Sequence, residues 1–186
     1  MNGRAPPLGA PELVALGSYA YWLATGAPLD PKILGHGYPA LAPLAERCDF
    51  VRGETVYAQS RVLCHGADGV GQRTLDGIAV FPALWGPDSF KRGAGMARIS
   101  NAAAFVKANM PIGPPGTLSD QQAWDVTLYM NSHERPQDPR YTGSVRSTRH
   151  DFRATENSMY GREVAGKALG ATGAPKRFKP SKEKRP

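Results

Sequence analysis

A chain of 186 residues with 41% hydrophobic and 9% aromatic content can build one packed core; it is too apolar for a disordered chain and too short for two full domains with linkers. The net charge is +7, but Lys176, Arg177, Lys179, Lys182, Lys184 and Arg185 against Glu183 place five of those charges in residues 174–186. That tail reads as a solvated end, with no fold-level motif for nucleic acid, and the remaining body is nearly neutral. No apolar run reaches the length of a membrane span, the N-terminus lacks a basic start followed by an apolar core, and two cysteines are too few for a disulfide framework.

In chain order, Pro11 to Ala24 is expected to be a helix with Pro11 in its first turn and Leu13, Leu16, Ala20 and Leu23 on one stripe, ended by Gly26 and Pro28. Prolines and glycines from Leu29 to Leu44 predict a connection with a domain boundary near residue 45. Phe50 to Leu63 is expected to be helical, bringing Val56 and Tyr57 near Cys64, before Gly66, Gly69 and Gly71 break it. The stretch Phe81-Pro82-Ala83-Leu84-Trp85-Gly86-Pro87 is an apolar loop, too rich in proline for a central strand and suited to covering something flat.

Ser100 to Asn109 predicts a short alanine-rich helix ended by Met110-Pro111, because proline disfavours helical backbone in the residue before it. Ser119 and Gln122 have capping-box spacing and open a helix whose Ala123, Val126 and Met130, with Trp124 and Leu128, supply buried surface before Pro136. Tyr141 to Gly170 has weak periodicity and reads as an extension wrapping the core. No strand alternation stands out, so the fold class is mainly α.

Arg61-Val62-Leu63-Cys64-His65-Gly66 carries the chemistry. Haem attachment uses Cys-x-x-Cys-His, in which two thiols bond the haem vinyl groups and the adjacent histidine ligates iron. Cys64 and His65 match the second half, and Arg61 replaces the first attachment cysteine. Attachment through Cys64 alone gives haem c with a single thioether. A thioether ligand from a loop further along raises the reduction potential; Met110 is the preferred distal ligand and Met96, in Gly93-Ala94-Gly95-Met96, the alternative. The plain reading of either methionine is core filling, and of the Cys-His pair a free thiol beside a structural histidine. His36, His133 and His150 are expected at the surface or capping helices, without metal-ligand spacing. Cys48 is expected to be a free thiol. Lys91, Arg92 and Arg61 are expected to be solvated loop cations, or else to meet haem propionates or an acidic partner.

The order of these segments resembles the thiosulfate dehydrogenases, periplasmic two-haem c-type cytochromes that join two thiosulfates into tetrathionate. The resemblance rests on Met1-Asn2-Gly3-Arg4 through Trp22-Leu23-Ala24-Thr25-Gly26, Arg52-Gly53-Glu54-Thr55-Val56-Tyr57, Cys64-His65-Gly66-Ala67-Asp68-Gly69, Leu84-Trp85-Gly86-Pro87, Gly93-Ala94-Gly95-Met96, Asn109-Met110-Pro111, Glu134-Arg135-Pro136-Gln137-Asp138-Pro139-Arg140 and Ser158-Met159-Tyr160-Gly161. It implies a class I cytochrome c-like helical domain over 49–135, with a remnant of a first cytochrome domain at 1–30, a linker at 31–48 and a C-terminal extension with its basic tail at 136–186. It also implies His65 as proximal and a methionine as distal iron ligand, a periplasmic location, and a redox partner protein or companion haem subunit. In the family Met-Asn-Gly-Arg lies downstream of the first haem's attachment site and catalytic ligand, so no catalytic residue is expected here and electron transfer is the expected role. A haemless vestigial or interaction protein is the alternative.

Overall fold

The computed structural model describes residues 7–27, 41–42, 44, 46–113 and 116–172. Two compact units are present, residues 1–37 and 38–186. His36, most of the expected linker and the basic tail lie outside the described residues.

In the first unit, α1 (Pro11–Ala24) starts on Pro11 and ends at Thr25, whose backbone turns extended. Tyr19 and Trp22, three residues apart, stack at 5.9 Å. None of its residues is buried, and the expected stripe is left open, with Leu16 and Leu23 exposed.

The second unit is built on a helix pair. Asp49 caps α2 (Phe50–Ser60) by accepting the Arg52 amide at 2.8 Å, and its own amide donates to the Asp125 carboxylate at 2.8 Å. That second bond ties the start of α2 to α5 (Asp120–Asn131), which opens on the expected Ser119–Gln122 capping box. The helices cross at Gly53, where a Cβ would run into the Asp125 carbonyl and come within 2.9 Å of the Tyr129 Cβ. Only glycine permits this approach. α4 (Ile99–Asn109) packs its Ala102, Ala103 and Val106 inward, and Met110 leaves it with extended backbone, as the following proline requires.

Tyr57 and Trp85 pack at 5.0 Å, Tyr57 and Tyr129 at 5.4 Å, and His133 stacks on Trp85 at 4.1 Å and 15°. With Val56, Val106, Val126 and Met130 these rings make the core, burying large apolar area on few side chains. Trp85 comes so near Gly69 that any Cβ there would overlap its indole, and Gly69 also has φ +66°.

Three expectations need correction. The helix expected over 50–63 breaks at Arg61 (φ −127°, ψ −30°) and resumes as α3 (Val62–His65). Ser60 donates its hydroxyl back to the Val56 carbonyl at 2.6 Å, a local bond that competes with a straight helix. Strands exist: β1 (Gln72–Arg73) and β2 (Ala79–Phe81) pair antiparallel, as do β3 (Glu163–Val164) and β4 (Lys167–Ala168). All are two or three residues long, too short to show alternation in a sequence. The extension also holds α6 (Val145–Phe152), capped by Ser144, whose mostly polar composition hid it.

Residues 136–172 are fixed by polar bonds to the helical body. The Ile99 amide donates to Asn157 and the Gly170 amide to Glu134, while within the extension itself buried Tyr160 donates to Gln137 at 2.8 Å. Asp138, 1% exposed, accepts from Arg153 Nε at 2.8 Å and Arg140 Nε at 3.2 Å. Burial pushes its carboxyl pKa up, but the bonds from Arg140 and Arg153 outweigh it and hold the group below the ordinary value. Because the folded pKa is the lower one, this stabilisation is complete above the unfolded pKa of about 4 and fades as pH falls through the folded value. Asp138→Asn is expected to lower the melting temperature at neutral pH and to flatten its decline in acid, as followed by circular dichroism between neutral pH and about pH 2. An unchanged acid profile would dismiss Asp138 as a source of it.

Candidate functional site

The break at Arg61 lets the chain present Arg61, Cys64 and His65 on a single short turn. The Arg61 carbonyl accepts the amides of Cys64 (3.1 Å) and His65 (2.9 Å), the His65 carbonyl accepts the Gly71 amide (2.9 Å), and Tyr57 donates its hydroxyl to the Gly66 carbonyl at 2.7 Å. The β1–β2 hairpin is tied on by Gln72, which donates to the Leu63 carbonyl at 2.6 Å. Backbone and core therefore hold this turn on both sides.

His65 is 4% exposed, and its Nδ1 lies 2.9 Å from the Pro82 carbonyl. A carbonyl only accepts, so Nδ1 carries the proton and Nε2 keeps its lone pair, the tautomer an iron ligand needs. Burial, opposed by the Pro82 bond and helped by the nearby Arg61 cation, holds the imidazole pKa below its usual value. The ring is thus neutral at physiological pH.

His65 lines a cavity of about 290 Å³ together with Pro82, Leu84, Phe90, Phe105, Met130, Arg61, Met96 and Met110. The loop expected to cover something flat does supply part of this wall. Both methionines put forward from the sequence reach the same cavity, which helices α3, α4 and α5 and the Pro82 loop enclose. Cys64 is half-buried, a free thiol, next in the chain to His65 without itself lining the cavity. The lining is almost wholly apolar, and among the described residues no group of three or more His, Cys, Asp or Glu could hold a bare metal ion. Such a site suits a flat apolar group that brings its own equatorial ligands and needs from the protein one imidazole and one thioether. On donor set, tautomer and wall, the residues fit haem.

Two cations expected to be solvated are not. Arg92 is 2% exposed and donates to the carbonyls of Asn131 (3.3 Å) and His133 (2.8 Å) and to Glu134 (3.2 Å), locking the end of α5. Arg61 is 3% exposed, with Nε and Nη2 lacking any partner. Burial lowers its pKa to about 10, so it stays charged at neutral pH. Lys91 is exposed, as expected. His133 caps α5 by donating Nδ1–H to Tyr129 at 2.8 Å while stacking on Trp85, and exposed His150 faces Asp151. Cys48 is a half-buried free thiol.

Reasoning on the sequence missed Pro82 as the partner of His65, although its loop was singled out. It also missed Arg135, which is 3% exposed and lies 4.1 Å over the ring of the cavity-lining Phe90. Burial and then the neighbouring Arg92 lower its pKa to about 9. Nothing local in Glu134-Arg135-Pro136 marks that position as buried.

The cytochrome c family pattern matches residues 50–134, the span of the helix pair and the cavity. The chain is 54% identical over 175 residues to a thiosulfate dehydrogenase of Thiomonas intermedia, covering 94% of this chain and 55% of that one. It is 48% identical over 172 residues to a thiosulfate dehydrogenase of Stutzerimonas stutzeri, covering 91% and 56%. The solved structure of thiosulfate dehydrogenase (TsdBA) from Marichromatium purpuratum, in its as-isolated form, superposes with a TM-score of 0.79 at 50% identity, over 91% of this chain and 36% of that one. The chain therefore spans about half the length of these two sequence relatives. Among the described residues no helix is long and apolar enough to cross a membrane. With a mainly helical fold, a cytochrome c domain around His65 and these relatives, the chain belongs to the thiosulfate dehydrogenase family of c-type cytochromes.

Proposed function

We propose that residues 49–135 bind one haem c, bonded through a single thioether from Cys64, with His65 as proximal and Met110 as distal iron ligand. The domain relays single electrons. The observation that carries this is the buried His65 ring, fixed through Nδ1 on the Pro82 carbonyl, in an apolar cavity that also receives Met110. Haem c, when bound, supplies an iron that accepts and returns one electron. His65 gives up the Nε2 lone pair while Pro82 fixes ring tautomer and orientation. Met110 presents its thioether from the point where α4 gives way to extended chain, and Phe105, Met130 and Leu84 exclude water. Low polarity and a thioether ligand both favour a high potential, suited to accepting electrons from a sulfur-compound oxidation.

The electron donor in this proposal is a companion haem centre, on a partner protein or on a further domain such as the greater length of the relatives accommodates. The location is the periplasm, where thioether formation takes place. Thiosulfate oxidation itself is assigned to that companion and to no residue described here.

Met110→Ala is expected to lower the reduction potential and to let added imidazole or carbon monoxide bind the iron, while Met96→Ala leaves both unchanged. Spectra of the matured chain with and without these ligands test it. Ligand access in Met96→Ala alone would reassign the distal position. Arg61→Cys completes the attachment signature and is expected to raise haem per chain after periplasmic maturation and to move the pyridine haemochrome band to its two-thioether position. Equal haem content and an unmoved band would reject the single-thioether proposal.

A further inference from the structure

We propose that the Arg61 guanidinium is a fixed, uncompensated cation that raises the reduction potential of an iron held by His65. The inference rests on the haem-binding reading above.

Three observations meet at this side chain. It is 3% exposed and lines the same cavity as His65, Met96 and Met110. Its Nε and Nη2 have no hydrogen-bond partner, and among the described residues no carboxylate forms an ion pair with it. It stands four residues before His65, and its carbonyl accepts the His65 amide at 2.9 Å, so the turn sets where this buried side chain starts relative to the ligand.

An ion paired with a carboxylate has little field at a distance. A lone one in an apolar wall acts strongly, because neither solvent nor counter-charge screens it. When one electron arrives from a one-electron donor, the iron goes from ferric to ferrous and the cavity loses one positive charge. No bond at Arg61 forms or breaks and no proton has to move. A neighbouring cation destabilises the more positive ferric form and so favours the reduced one. Burial of the same unpaired charge costs the fold stability that a neutral side chain of similar volume would not. Tuning and stability therefore pull in opposite directions at position 61, which separates this role from a packing role.

The test is a spectroelectrochemical titration of the haem-loaded chain and of its Arg61→Gln, Arg61→Met and Arg61→Lys variants, with thermal melts of the same preparations. Arg61→Gln and Arg61→Met are expected to shift to lower potential, Arg61→Lys to stay near the parent, and the gap to persist at high salt. The two neutral variants are expected to melt no lower than the parent. Equal potentials in parent, Gln and Met forms, or a Lys form that falls with the neutral ones, would overturn the proposal while leaving haem binding intact. If the parent and every variant come through maturation without haem, the haem-binding reading fails and takes this proposal with it.

Discussion

His65→Ala is expected to cut haem retained per chain by at least about 10-fold after maturation in a periplasm, because loss of a mere outer-shell partner of a metal ligand already costs about 10- to 100-fold. The residual haem should lack a two-ligand low-spin spectrum. Two features make the effect large. Among the described residues His65 is the one imidazole lining the cavity, and His133 is committed to Tyr129 and Trp85. The Pro82 carbonyl then loses its imidazole partner as well, and with it the hold on whatever ligand takes that place. His65→Ala also tests the fold indirectly. Melting of the haem-free variant should stay close to that of the haem-free parent, because the core rings are held by Tyr57, Trp85 and Tyr129 rather than by His65. Full haem retention by His65→Ala would mean that another residue ligates the iron.

Gly53→Val is expected to be the most damaging single change to the helix pair. Its Cβ would meet the Asp125 backbone carbonyl, which cannot rotate away, and the Tyr129 Cβ. Overpacking usually costs about 1–3 kcal/mol, and a backbone obstacle belongs at the upper end. At roughly 2–4 °C per kcal/mol for a chain of this size, a drop of around 10 °C is expected in a thermal melt. Gly17→Ala in α1 is the control: a Cβ there meets nothing within 4 Å, so helix propensity should leave stability unchanged or about 1 kcal/mol higher. If Gly53→Val melts like the parent, the α2–α5 crossing is not as tight as described.

These two positions show how unevenly the sequence discloses the molecule. Helix α5 was readable because its cap, Ser119 with Gln122, and its apolar residues are local signals, and the same holds for Pro11 in α1 and Met110-Pro111 after α4. His65 could be singled out because Cys64-His65 is contiguous, and folding places that histidine in the cavity wall. Gly53 was not, since its meaning lies in Asp125, distant in sequence. Arg61 and Arg92 were read as solvated because charge is usually hydrated; burial depends on the cavity wall and on the carbonyls of Asn131 and His133, which only folding brings near. Pro82 illustrates a middle case: its loop could be singled out from composition, yet the bond to His65 spans 17 residues. Helix α6 and the short hairpins escaped because polar, capped elements of a few residues leave little periodicity.

Haem held by Cys64 and His65 is tested most directly by a pyridine haemochrome spectrum of the denatured chain after periplasmic maturation and acid–solvent extraction. A band that stays with the protein and lies between the two-thioether and unattached haem positions is the expected result. A chain without haem, or haem that extracts completely into solvent, would contradict it.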